Sequence, residues 1–121
     1  MIKLTFCLRR LPHLTREEFQ RYWREQHAPL VARHAGILGI LRYVQTHTGH
    51  DALNSAMQGS RGGPDAYDGV AELWFESEEV MAANTGEAAA KASAELLEDE
   101  RKFIDLANSP LWFGDQFDVV S

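Results

Sequence analysis

The 121-residue chain has a single cysteine, Cys7, and therefore no partner for an internal disulfide. A small fold without that staple, carrying one reduced thiol, is expected in a cytoplasm. Basic residues are also in deficit: 12 Lys and Arg stand against 18 Asp and Glu, a formal net charge of −6. That balance excludes the general positive field a phosphate backbone demands, so nucleic acid is not an expected partner. No apolar run approaches the ~20 residues of a membrane-spanning helix. The stretch Met1–Arg10 lacks the basic start, apolar run and small-residue cleavage site of a secretory leader. Neither a Gly-rich nucleotide loop nor a nucleophile elbow is found. His47 and His50 are three apart and His34 lies seven after His27, but no set has metal-ligand spacing. The expectation is a protein without metal or nucleotide.

What is present is an ordinary globular mixture, 45% hydrophobic and 25% charged, enough for one domain over residues 1–121 and too little for two cores. Ile2, Leu4, Phe6 and Leu8 alternate with Lys3, Thr5, Cys7 and Arg9, the period of two of a strand with one apolar face. Thr15 followed by Glu18 is a capping box and starts a helix at Arg16. Phe19, Tyr22, Trp23, His27, Leu30 and Val31 share one face of it. Pro29 has no N–H and its ring clashes with the Glu25 carbonyl, which predicts a kink near His27 and Ala28.

Gly36 reads as the helix stop, and the aliphatic and β-branched run Ile37–Thr48 as a long second strand. Gly49–Gly69 is rich in Gly, Asp, Ser and Asn and reads as a loop of functional or mobile kind. Val70–Phe75 is a third strand, and Ser77 caps a short helix. After Asn84–Gly86, strong helix formers run from Glu87 to Leu106, and Leu111 through Val120 supplies the last strand.

The order β-α-β-β-α-β is the ferredoxin-like split unit: an α+β fold with an antiparallel four-stranded sheet and its helices on one face. In the third strand Val70 and Trp74 point one way, Ala71, Leu73 and Phe75 the other. Both sides are apolar, so the second sheet face requires a cover, and a second copy in a two-fold homodimer is the simplest one.

His27 stands out among candidate site residues. On an apolar face beside Trp23, a neutral imidazole can act as general base; alternatively it is a core histidine bonded to a freed carbonyl such as that of Glu25. Tyr22, Trp23, Tyr43, Trp74 and Phe103 can line an aromatic cavity for a flat ligand, or simply form core. Asp99 shares a helix face with Phe103; turned inward it pairs with His27 or Tyr22, turned outward with Lys102 or Arg101. The chemistry then expected is removal by His27 of a proton next to a carbonyl. Tyr22 or Tyr43 would bond the oxyanion, and Trp23 and Trp74 would stack on the ring. The expected partner is a small hydrophobic organic molecule.

Several segments together resemble the EthD family, named for ethyl tert-butyl ether degradation. They are Leu8-Arg9-Arg10, Leu14 to Phe19, Tyr22-Trp23 with His27-Ala28-Pro29-Leu30, Tyr67 to Phe75, and Asp99 to Phe103. The Phe-x-x-Tyr-Trp-x-x-x-His-x-Pro run is the most specific. The resemblance implies a dimeric α+β barrel in which two ferredoxin-like sheets pack face to face. Relatives in the wider superfamily are small cofactor-independent enzymes: lactone isomerases, polyketide cyclases, dehydratases, decarboxylases and quinone-forming monooxygenases. Others bind or degrade haem. The resemblance also implies that His27 is the acid/base group, with Tyr22 and Asp99 as its companions. A non-catalytic dimeric protein that binds a catabolic intermediate or haem is the alternative.

Overall fold

The strand β1 (Ile2–Leu8) opens the chain in the computed structural model, which covers residues 1–121. It is followed by α1 (Arg16–Tyr22), a π-helical turn (Trp23–His27), α2 (Ala28–Leu38), β2 (Arg42–His47) and α3 (Asp51–Arg61). Next come β3 (Gly69–Phe75), α4 (Glu78–Ala83), α5 (Glu87–Glu100), a 3₁₀ turn (Leu106–Asn108) and β4 (Leu111–Gly114). The sheet is antiparallel with order β2-β3-β1-β4, the ferredoxin-like arrangement. No helix is long and apolar enough to cross a membrane.

Register fixes which side chains share a face. Leu4 opposes Leu73 and Phe6 opposes Ala71 between β1 and β3, and Tyr43 of β2 opposes Leu73. This face meets the helices: Phe6, Leu8 and Ala71 pack with Phe19 and Trp23 from the first helical segment and Phe103 and Ile104 from beyond α5. On the other face Lys3, Trp74 and Arg42 lie side by side across three strands. There Trp74 is sandwiched, with the Lys3 ammonium 5.6 Å and the Arg42 guanidinium 4.8 Å from its rings.

Five of the expected elements differ in extent or kind. The helix does not stop at Gly36 but continues through Ile37 and Leu38, because Gly39 (φ 72°) is the residue in the left-handed conformation and turns the chain. The second strand therefore begins at Arg42 rather than Ile37. The segment expected as loop contains α3, whose Leu53, Ala56 and Met57 recur at helical spacing while none of its residues is buried. The last helix ends at Glu100 instead of Leu106. Beyond it the backbone is drawn onto the end of β1, with the Leu11 amide donating to Phe103 (3.0 Å) and the Asp105 amide to Arg9 (2.8 Å). The final strand stops at Gly114, where its pairing with Lys3 of β1 ends.

Candidate functional site

The site begins with a capped helix. Thr15 accepts from the Glu18 amide (3.1 Å) and its own amide donates to the Glu18 carboxylate (2.9 Å), which starts α1 and directs Phe19 and Trp23 into the core. The expected kink takes the form of a π turn. Pro29 cannot donate to Glu25, and the Ala28 amide reaches back five residues to the Trp23 carbonyl. That carbonyl also accepts from Gln45 Nε2 of β2 (3.1 Å), which ties the widened turn to the sheet.

At the end of the turn His27 is 5% exposed. Its Nδ1 lies 2.7 Å from Asp99 Oδ2 of α5, not against the Glu25 carbonyl. Tyr22, one turn earlier, donates its hydroxyl to Asp99 Oδ1 at 2.6 Å, and Lys102 Nζ approaches the same oxygen at 3.4 Å. Burial pushes the Asp99 carboxyl upward, but the hydrogen bonds from Tyr22 and His27 outweigh it and hold the group below the usual carboxylate range. Burial lowers the His27 imidazole, opposed only in part by the bond to Asp99. Burial and the Asp99 charge raise the Tyr22 phenol to about 12. A charged carboxylate beside a neutral imidazole fixes the proton on Nδ1 and leaves Nε2, which has no partner in the chain, as a lone-pair acceptor.

His27 lines a small, partly open cavity of about 110 Å³ between the sheet and the helices. Phe6, Trp23, Tyr43 and Glu100 contribute its other polar or aromatic walls, and Leu4, Leu73 and Leu96 are among the aliphatic ones. The last three, with Glu100, also line an outer groove of about 380 Å³ under α4 and α5. An inner space below the ~300 Å³ of a drug-sized site accepts about one ring, and the remainder of a ligand lies in the groove. A larger open depression of about 560 Å³ beside Ile2, Met81 and Phe113 lies apart from His27.

The expected aromatic cavity is thus only partly assembled. Trp23 and Tyr43 line it. Tyr43 accepts from Gln45 Nε2 at 2.9 Å and keeps its own proton for another acceptor, and burial raises its phenol. Trp74 does not line it: the β3 register puts it on the opposite sheet face, where its indole N–H donates to Gln116 at 2.9 Å. Phe103 is fully buried behind the dyad, its ring 5.1 Å from that of His27 and 5.0 Å from that of Tyr22. Neither it nor Tyr22 lines the cavity; Tyr22 turns its hydroxyl to Asp99 instead.

Sequence reading passed over two residues. Glu100 lines the cavity, and its position four after Leu96 and four before Ile104 places it on the apolar helix face. Burial, with the neighbouring Asp99 charge, raises its carboxyl to about 7. His47 stacks on Trp23 with ring centroids 4.4 Å apart and bonds Gln45 through Nε2 at 2.7 Å, leaving Nδ1 buried without a partner. Nowhere do three or more His, Cys, Asp or Glu side chains gather closely enough to hold a metal ion.

Comparison with known proteins agrees with the resemblance read from the Tyr-Trp-x-x-x-His segment. The EthD domain model matches residues 11–107. The chain belongs to the EthD family. An ethyl tert-butyl ether degradation (EthD) family protein from Bacillus halodurans superposes with a TM-score of 0.60 at 20% identity, over 97% of this chain and 99% of that one. An EthD-like protein from Ralstonia eutropha gives a TM-score of 0.58 at 18% identity, over 98% and 92%. A dimeric protein of unknown function and ferredoxin-like fold from Bacteroides fragilis gives 0.56 at 9% identity, over 95% of each chain. No curated protein shows significant similarity. At these identities the neighbours speak to the fold.

Proposed function

We propose that this EthD-family protein is a homodimeric cytoplasmic enzyme that performs proton-transfer chemistry, without a dissociable cofactor, on a small hydrophobic aromatic or lactone-like metabolite. The observation that carries the reading is the imidazole of His27, anchored through Nδ1 to a buried carboxylate while its ring lines an apolar cavity. A base needs a lone pair, a dry pocket and a fixed tautomer, and this pairing supports all three. His27 Nε2 takes a proton from a carbon beside a carbonyl. Asp99 stabilises the imidazolium that forms, and Tyr22 holds Asp99. Tyr43 gives its free O–H to the developing oxyanion, and Trp23 forms a flat wall for the ring. Isomerisation, elimination of water beside a carbonyl and aldol-type cyclisation begin with such a step, whereas in decarboxylation the same group would return a proton to carbon after CO2 leaves. Proton transfer from a positioned side chain is worth roughly 10²–10⁴-fold.

The dimer is supported by the free sheet face, on which Trp112 is 51% exposed beside Thr5, and by the dimeric fold relative from Bacteroides fragilis. Two such faces packed together would bury the aromatic surface that one copy leaves in water.

The test is a thermal-shift screen of wild type and His27→Ala against phenols, quinones, hydroxynaphthoates and lactones, with product analysis of each hit. At ligand concentrations of ~100 times Kd the stabilisation is about 2.7 kcal/mol. Compounds converted by wild type and only bound by His27→Ala support the enzyme and name its substrate class. Compounds bound and left unchanged by both proteins assign the chain to the binding-protein class instead.

A further inference from the structure

Two ionisable acid/base groups from different elements share one small apolar cavity: His27 at the end of the π turn and Glu100 in the last turn of α5. Glu100 has no hydrogen bond or ion pair to its carboxyl within the chain. The cations nearest in sequence are engaged elsewhere, Arg101 with Glu98 at 3.4 Å and Lys102 with Asp99 at 3.4 Å. Glu100 shares the cavity lining with Leu4, Leu73 and Leu96 and with His27 and Tyr43, while Asp99 precedes it in α5 and Arg101 follows as the cap of that helix. A carboxyl in such walls is favoured in its neutral form, because the Arg101 charge offsets only a small part of the lost hydration of the anion. It also stands where the inner cavity and the outer groove share their lining, within reach of a ligand that occupies both.

We propose that Glu100 is the second proton-transfer group of this site, delivering a proton to one atom of the substrate while His27 removes one from another. The proposal rests on the His27 reading and narrows the substrate to molecules with two such atoms. His27 Nε2 takes the proton from a carbon beside a carbonyl, and the C–H electron pair moves into the conjugated system. Glu100 gives its proton to the atom where electron density arrives, and the product is an isomer. Where that atom is a hydroxyl oxygen, its C–O bond breaks and the products are an alkene and water. The imidazolium proton then returns to the Glu100 carboxylate through water in the outer groove, and both groups are restored. The pairing of a neutral acid with a neutral base recurs where environments push two titratable groups apart, and here the carboxyl is raised to about 7 while the imidazole is lowered.

Nitrobenzisoxazole is a suitable probe. A base takes its C–H proton, the N–O bond breaks, and its electron pair leaves as a coloured cyanonitrophenolate, whose developing oxyanion a neutral acid stabilises by hydrogen bonding. The rate is followed against pH for wild type, His27→Gln and Glu100→Gln, and the Glu100 carboxyl is titrated in parallel by carbon-13 NMR. Expected are a rate that rises as His27 loses its proton and falls as Glu100 does, and a fall at high pH that vanishes in Glu100→Gln. His27→Gln loses at least about tenfold. A high-pH fall that persists in Glu100→Gln, or a Glu100 carboxyl that titrates in the ordinary range, overturns the role of Glu100 while the His27 reading stands. A wild-type rate no faster than that of His27→Gln overturns the His27 reading, and this proposal with it.

Discussion

Asp99 lies 72 positions after His27, yet its Oδ2 is 2.7 Å from the imidazole Nδ1, and its other oxygen accepts from Tyr22 at 2.6 Å. One carboxylate thereby joins the π turn to α5. Both oxygens are used, so the group is compensated although it is 8% exposed. Removing a partner from such a group costs more than the bond itself, because the remaining partner stays buried and unpaired.

The first expected outcome concerns the charge of Asp99 alone. Asp99→Asn keeps the shape but can offer an amide N–H toward Nδ1, which favours the wrong imidazole tautomer. Turnover of the nitrobenzisoxazole probe falls by about 10²-fold or more. The hydrogen bond and charge of Asp99 both raise the His27 pKa, so their loss lowers it further. Nitrogen-15 NMR of the imidazole reads this directly, and an unchanged titration would sink the pairing as a functional unit.

The second is a pH dependence with two signs. Glu100 is raised to about 7 from an ordinary 4.5, so the folded chain holds this proton more tightly than the unfolded one. Its contribution is present below 4.5, is lost as pH rises towards about 7, and stays lost above it. His27 and Asp99 are lowered from 6.5 and 3.8, so their contributions are present above those values and are lost as pH falls through the folded ones. In thermal unfolding, Tm of Glu100→Gln relative to wild type rises between pH 4.5 and about 7 and is level above, and His27→Gln is less acid-sensitive than wild type below 6.5. Parallel curves over both ranges would remove the assignments.

The third follows from a close approach. A Cβ added at Gly69 would lie 2.4 Å and 2.8 Å from two ring carbons of Trp23 and 2.9 Å from the Thr46 carbonyl. The indole is fully buried, and its turn is tied to β2 through Gln45, so it has no room to retreat. Gly69→Ala is therefore expected to destabilise by about 1–3 kcal/mol. Denaturant unfolding supplies the number, and a variant as stable as wild type would mean that Trp23 moves freely.

The elements most legible in the sequence were those with one dominant local signal. Alternation along Ile2–Leu8, the Thr15–Glu18 cap and the missing N–H of Pro29 each act within a few residues, and the structure carries all three. Gly36 and Gly39 differ only in which adopts positive φ, and that is decided by where β2 finds its partner strand. α3 was hidden by its Gly, Ser and Asn, which outweighed the spacing of Leu53, Ala56 and Met57. Trp74 shows the opposite case. Its parity with Val70 already set it apart from Ala71, Leu73 and Phe75, and that parity, rather than its aromatic character, decides its face. The meeting of His27 with Asp99 is a tertiary fact that periodicity alone left open between inward and outward readings.

The parity of Trp74 leads to the last expected outcome. With Lys3 and Arg42 against its rings, Trp74 belongs to the free sheet face together with Trp112, and both stand outside the His27 cavity. If that face joins two copies, a charge introduced on its β4 edge strand is stripped of water on association. Trp112→Glu is then expected to run as a monomer in light scattering where wild type runs as a dimer. Met57→Glu, a charge on the outward α3, remains dimeric, since Met57 is 50% exposed and packs on no sheet face. A monomeric wild type, or a Trp112→Glu variant that stays dimeric, would remove the sheet face as the meeting surface.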